Sequence, residues 1–61
     1  MAAKFEIYTD SRGEFRFRLK AGNGEVVATG ESYKTRDGVI KGVDAVKRAA
    51  VEAEIDDKTG A

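Results

Sequence analysis

Six consecutive residues, Phe15-Arg16-Phe17-Arg18-Leu19-Lys20, alternate without exception between an apolar and a cationic side chain. A period of two sorts residues onto opposite faces of a strand, whereas a helix would mix them on every side. Phe15, Phe17 and Leu19 therefore share one face, and Glu14, Arg16, Arg18 and Lys20 share the other. One face asks for a core and the other for water or counter-charges. The rest of the chain supplies both.

The preceding residues match. Lys4 to Asp10 places Phe5 and Ile7 on one side and Lys4, Glu6 and Tyr8 on the other. Asp10-Ser11-Arg12-Gly13 is a turn: Asp suits the first position of a type I turn and Gly the left-handed position that closes it. Pairing Asp10 with Glu14 sets Ile7 against Phe17, Phe5 against Leu19, Glu6 against Arg18 and Tyr8 against Arg16. A slip of one residue would set Phe against Arg, so the pattern specifies its register. The second turn leaves two registers open. A two-residue Asn23-Gly24 turn places Leu19 opposite Ala28, and a looser Gly22-Asn23-Gly24 loop places Leu19 opposite Val27. Val26 and Val27 are both apolar, so alternation does not choose.

Gly30-Glu31-Ser32-Tyr33-Lys34 connects the sheet to a helix. Thr35 is the N-cap, Ser32 the competing cap, and Asp37 suits the positive end of the helix dipole. Val39, Val43, Val46 and Ala50 form an apolar helical stripe, with Gly42 and Ala49 alongside. Lys41, Asp44, Lys47 and Arg48 form the outer side, and the late cations suit the negative end of the dipole. Gly38 and Gly42 each cost a helix about 1 kcal/mol relative to Ala, so this helix depends on docking. Gly42 is either a point of close backbone approach or a tolerated glycine. Val51-Glu52-Ala53-Glu54-Ile55-Asp56-Asp57 alternates once more, apolar with acidic. It either extends the helix or forms a last strand that finds its partner on another chain. Residues 1–3 and 58–61 are expected to be flexible termini.

Sixty-one residues suffice for a single domain with a small core. Domains of this size are usually stapled. With no cysteine and no histidine, a disulfide or a histidine-bearing zinc site is not available, which leaves self-association or unusually good packing. Eleven basic residues balance eleven acidic ones, against a general polyanion binder. No apolar run follows Met1-Ala2-Ala3-Lys4, so neither signal peptide nor membrane span is expected, and the expected location is the cytoplasm.

The assembled pattern is Lys4-Phe5-Glu6-Ile7-Tyr8, Gly13 to Ala21, Asn23-Gly24-Glu25-Val26-Val27-Ala28, Tyr33-Lys34, Lys41-Gly42-Val43 and Val46-Lys47. It resembles the YegP-like family of small bacterial proteins of unknown function, over residues 4 to about 50. The resemblance implies a three-stranded meander, a helix and a further strand. It also implies that two copies join in one sheet and exchange their C-terminal strands, so that a single-copy chain is a homodimer. Gly30-Glu31-Ser32-Tyr33 departs from the family's more usual Ser-Glu-Gly-Tyr, and Asp37-Gly38 stands where small helix formers are commoner. Ala49-Ala50-Val51 lacks the usual Asn or Pro break, which leaves open where helix gives way to strand. The resemblance transfers no catalytic or binding residue.

Without His or Cys there is no base-activated Ser or Cys nucleophile of the usual kind. Gly22-Asn23-Gly24 lies between strands and opens no helix, unlike a phosphate-binding loop. No catalytic residue, cofactor, metal or small-molecule ligand is expected. Tyr8, Arg16, Arg18 and Lys20 remain as a candidate surface, because cations around an aromatic ring on an open sheet suit single-stranded nucleic acid. Against that, Glu6 neutralises Arg18, and a solvated face held by cross-strand pairs accounts for the same residues. The expected fold is α+β: an antiparallel meander (4–10, 14–20, 25–30), one helix (35–50) on its apolar face, and a short terminal strand (51–56) exchanged in a homodimer. Its core is Phe5, Ile7, Phe15, Phe17, Leu19, one or both of Val26 and Val27, Val39, Ile40, Val43, Val46 and Ile55. Val51, Ala53 and Ile55 are the candidate dimer contacts. The expected function is that of a non-enzymatic structural or interaction domain, with weak nucleic-acid binding as the alternative.

Overall fold

In the computed structural model, which describes residues 2–60, the alternating run becomes the middle strand of three. Strands β1 (Lys4–Thr9), β2 (Phe15–Lys20) and β3 (Val26–Thr29) form an antiparallel meander in the order β1-β2-β3, followed by helix α1 (Arg36–Glu52). The first hairpin has the register that alternation requires: Phe5↔Leu19, Glu6↔Arg18, Ile7↔Phe17 and Tyr8↔Arg16. Asp10 builds its turn twice over. Its amide donates to the Glu14 carbonyl (2.9 Å), and its carboxylate accepts from the amides of Arg12 (2.9 Å) and Glu14 (3.0 Å). Gly13 closes the turn at φ 77°, where a side chain would be strained.

The second hairpin combines both open registers. Ala21 donates to Glu25 (2.8 Å) across a three-residue loop, and Gly24 donates to Ala21 (2.9 Å), the same turn as the first. That loop alone would set Leu19 against Val27. An extra residue between the Lys20↔Val26 and Leu19↔Ala28 pairs shifts the register instead. Val27 is that residue, so the adjacent valines mark a β-bulge.

The connector is more ordered than its composition suggests. Gly30 donates to the Phe17 carbonyl (3.1 Å), and Tyr33 and Phe15 exchange backbone hydrogen bonds (2.7 and 2.8 Å). Tyr33 thereby continues the β3 side of β2 past a two-residue excursion, and its ring stacks on Phe17 with centroids 6.5 Å apart. Phe5 meets Phe17 edge-on at 5.9 Å. Phe17 lies over Gly30, where any Cβ would run into its ring, and the Tyr33 hydroxyl end lies on Gly42 in the same manner. Gly42 is thus a point of close approach. Thr35 caps α1, its hydroxyl accepting from the Gly38 amide at 3.0 Å.

The core these contacts close is small. Phe17 (4% exposed) and Val39 (0%) are its buried members, with Phe5, Phe15, Leu19 and Val43 half-buried around them. Ile7, Val26, Val27, Ile40, Val46 and Ile55, expected in the core, are exposed in the single chain. Helix α1 lies on β2 through its first half only, and every residue from Asp44 to Gly60 is exposed. Three strands and two helical turns cannot cover the whole apolar stripe.

The helix also runs further than expected. It continues through Val51 and Glu52 before Ala53 turns extended (φ −67°, ψ 133°), so no strand forms over 51–56 within the chain. Ala49 and Ala50 favour helix and nothing interrupts them, while a strand needs an edge to pair with. One consequence is electrostatic. Lys47 and Arg48 fall short of the last turn, which carries no cation and ends on Glu52 at the negative end of the dipole.

Candidate functional site

Two surfaces carry the candidate residues. The first is the polar face of the sheet, where alternation brings Tyr8, Arg16, Arg18 and Lys20 together with Lys4 and Glu6. Glu6 is its centre. Arg18 Nε donates to Glu6 Oε1 at 2.9 Å, Lys20 Nζ lies 3.3 Å from the same oxygen, and Lys4 Nζ lies 3.8 Å from Oε2. The Arg18 hydrogen bond, aided by Lys20, holds the Glu6 carboxyl below the usual glutamate range despite some opposing desolvation. Lys4 and Lys20 sit directly opposite each other, and the carboxylate separates what would otherwise be a repulsive pair.

The aromatic pairing differs from the cross-strand expectation. Arg18, not Arg16, covers Tyr8, its guanidinium carbon 4.6 Å from the ring centroid. A diagonal neighbour is within reach of a side chain this long, and the Glu6 bond anchors Arg18 in place. Arg16 turns the other way. Its Nη2 donates to the Gly30 carbonyl at 3.2 Å, and its buried Nε has no hydrogen-bond partner. The face therefore holds a closed group (Lys4, Glu6, Tyr8, Arg18, Lys20) and one guanidinium outside it. This arrangement leaves Tyr8 already stacked and Arg18 already paired. Sequence reasoning missed Tyr33 and Gly30 as organisers of the β3 side; a lone aromatic three residues after a glycine was the available signal.

The second surface is the C-terminal segment. Val51 stands on the last helical turn at 86% exposure, Ala53 is the C-cap, and Ile55 lies beyond it at 97%. Residues 53–58 belong to no helix, strand or turn. At the end of the segment Asp57 accepts from the Thr59 hydroxyl and amide, which holds its carboxyl below the usual range. The structure does not bring this segment against any other part of the described chain. Among the described residues there is no pocket and no helix long and apolar enough to cross a membrane.

Residues 10–57 match the model of a family described as a domain of unknown function, DUF1508. A UPF0339 protein of Treponema denticola is 53% identical over 55 residues, covering 90% of this chain and 95% of that protein. The UPF0339 protein in the ptx operon 5' region of Stutzerimonas stutzeri is 52% identical over 50 residues, which cover 82% of this chain but 45% of that protein. The NMR solution structure of a protein from Haloferax volcanii superposes with a TM-score of 0.83 at 33% identity, covering 92% of this chain and 95% of that one. The YegP-like resemblance is thereby borne out, with one correction: archaeal relatives take the family beyond bacteria.

Proposed function

The chain belongs to the DUF1508 family, to which no activity is assigned, and we propose that it works as a small homodimeric, non-enzymatic interaction domain in which each copy lends its C-terminal segment to the other. The surface area carries this reading. The chain exposes 5075 Å², against about 3900 Å² for a folded monomer of its 6.6 kDa. An excess of about 1200 Å² per copy corresponds to an interface in the size class of obligate dimers. The radius of gyration, 13.5 Å, likewise exceeds the roughly 10.5 Å of a compact chain of this length.

The excess is apolar where it counts. Val46 and Ala50 continue the stripe of Val39 and Val43 beyond the chain's own sheet, and Val51 and Ile55 follow them into solvent. The alternation of residues 51–57 suits a strand, and the outer edges of β1 and β3 are unpaired among the described residues, so a second copy supplies what either edge lacks. Sedimentation of the full chain and of a form lacking residues 51–61 tests the reading. The expected result is a dimer that the deletion converts to a monomer or unfolds. A stable monomer in both cases overturns it.

A further inference from the structure

Three cations converge on one carboxylate in the middle of the polar face. Arg18 Nε and Lys20 Nζ lie 2.9 and 3.3 Å from Glu6 Oε1, and Lys4 Nζ lies 3.8 Å from Oε2. The hairpin register brings them there from both strands, with Lys4 opposite Lys20 and Glu6 opposite Arg18. A cross-strand ion pair needs only one of the three. A guanidinium and ammonium groups gathered on one oxyanion are the donor set that also suits a phosphate, and here a carboxylate of the chain itself occupies it.

The surplus of positive charge extends over the whole face. Within the strands, Lys4, Arg16, Arg18 and Lys20 stand against Glu6 alone. Asp10 and Glu14 share their parity but lie in the turn, and Asp10 spends its carboxylate on two backbone amides. From β3 the face receives Thr29 and Val26, which pair with Arg18 and Lys20 and carry no charge. A net charge of zero thus conceals a segregation, the balancing carboxylates standing in the turns, connector, helix and tail. Helix α1 takes the apolar side of the sheet, and among the described elements none lies over the polar side.

We propose that this face binds a single-stranded nucleic acid, and that Glu6 holds the place of one of its phosphates until the strand displaces it. Arg16, Arg18 and Lys20 stand in file along β2, alternate residues of a strand being about 6.8 Å apart, an interval comparable to that between phosphates of an extended single strand. Arg18 lies over Tyr8, its guanidinium carbon 4.6 Å from the ring centroid, and guanidinium planes and aromatic rings both stack bases. Arg16 spends one donor on the Gly30 carbonyl and keeps others for a phosphate. Among the described residues there is no pocket, so a small free anion is not enclosed, and a duplex would keep its bases from the Tyr8–Arg18 stack. Glu6 sets a threshold. One anion gains little by displacing a tethered carboxylate, whereas a strand engages the lysines, Arg18 and Arg16 together. The face forms within one chain, so a monomer carries it as well as a dimer.

Fluorescence anisotropy of a labelled single-stranded oligonucleotide of mixed sequence, read across a salt series, tests the assignment. The parent is expected to bind saturably at low salt. Glu6→Gln is expected to bind about fivefold tighter, with a log–log salt dependence steeper by about 0.7, the increment of one more phosphate contact on a single strand. Lys4→Gln/Lys20→Gln is expected to weaken binding about fivefold and to flatten the salt dependence. Tyr8→Leu is expected to weaken it about fivefold without changing that slope. Lys41→Gln/Lys47→Gln, which removes two exposed cations of the helix, is expected to leave binding unchanged. Glu6→Gln loses an ion pair yet gains affinity, a result that misfolding does not produce, and circular dichroism checks the variants that lose it. Absence of binding by both the parent and Glu6→Gln overturns the proposal, and so does a Glu6→Gln that binds no tighter than the parent. A loss in the helix variant as large as in the Lys4/Lys20 variant makes the attraction diffuse and overturns the face. Equal affinity for the duplex of the same sequence, or preference for vesicles of phosphatidylcholine and phosphatidylglycerol over the oligonucleotide, overturns the single strand as its occupant.

Discussion

The β1–β2 hairpin and the C-terminal segment are written in the same alternating pattern and reach opposite ends. In the hairpin Phe5 and Ile7 find Leu19 and Phe17 across one turn, and Glu6 draws three cations around it. In the tail, Val51 and Ile55 find nothing within the described chain, and the alternation resolves into the last helical turn and an unpaired extension. Alternation specifies the two faces of a strand but not its neighbour. Where a four-residue turn delivers the neighbour, the pattern is decisive. Where it does not, local propensity takes over, and the alanines before Val51 carry the helix on.

The contrast is most exposed at its two apolar anchors. Phe17→Ala removes the ring that Phe5, Tyr33 and Gly30 all touch. Such a truncation costs about 3–5 kcal/mol, comparable to the whole stability of a small domain, and circular dichroism is expected to find the variant largely unfolded. Ile55→Ala is expected to change stability by less than about 0.5 kcal/mol in dilute solution, as for an exposed position. Its cost should emerge only as the chain is concentrated, in urea midpoints measured at two protein concentrations. A loss that is equal at both concentrations would mean the tail packs on its own chain, and the distinction between the regions would disappear.

Gly30→Ala probes the closed region by overfilling it. A methyl group there meets the Phe17 ring, and the forced displacement is expected to cost about 1–3 kcal/mol. Because one ring receives both changes, Gly30→Ala and Phe17→Leu should be strongly non-additive in a double-mutant cycle. Additive losses would place the strain in the connector backbone instead.

The same contrast governs how much the sequence disclosed. The meander, its first register, the Thr35 cap and the buried pair Phe17 and Val39 were all legible, because each depends on residues within a few positions or one turn. The second hairpin was legible only as a pair of alternatives, since a bulge at Val27 satisfies both at once. The packing role of Tyr33 was not legible, because its partners, Phe15, Phe17 and Gly42, are scattered along the chain and linked by no periodicity. The polar face was half legible: alternation grouped its residues, but which arginine covers Tyr8 depends on side-chain reach across a diagonal. Ile7, Ile40 and Val46, expected in the core, are exposed, because periodicity assigns a residue to a face and a lone chain of this size has too little surface to cover that face.

Smaller effects sharpen the comparison at the helix. Thr35→Ala deletes the cap at the docked end and is expected to cost about 1 kcal/mol, read from the urea midpoint. The opposite end lacks any cation in its last turn, so Glu52→Lys should instead be mildly stabilising, by about 0.3–1 kcal/mol. If the helix end is remodelled on dimerisation, that gain should appear only in the monomer, and the dimer should not share it.

The smallest expected effect is one of pH, and it separates the two regions by the origin of the shift. Glu6 and Asp57 are both held below the ordinary carboxylate range. Glu6 owes this to Arg18 and Lys20, which the folded hairpin brings to it from more than ten residues away. Asp57 owes it to Thr59, two residues on, a contact available to the segment whether or not the domain is folded. A carboxylate whose folded pKa is depressed contributes stability that is present above its unfolded value and lost as the pH falls through the folded one. The melting temperature of the parent should therefore exceed that of Glu6→Gln at neutral pH, and the gap should close as acid passes below the ordinary glutamate value of about 4.3. Asp57→Asn should track the parent across the same range. If the Asp57 variant closes its gap as well, the tail's turn forms only on folding, and the segment is more tightly coupled to the domain than its exposure suggests.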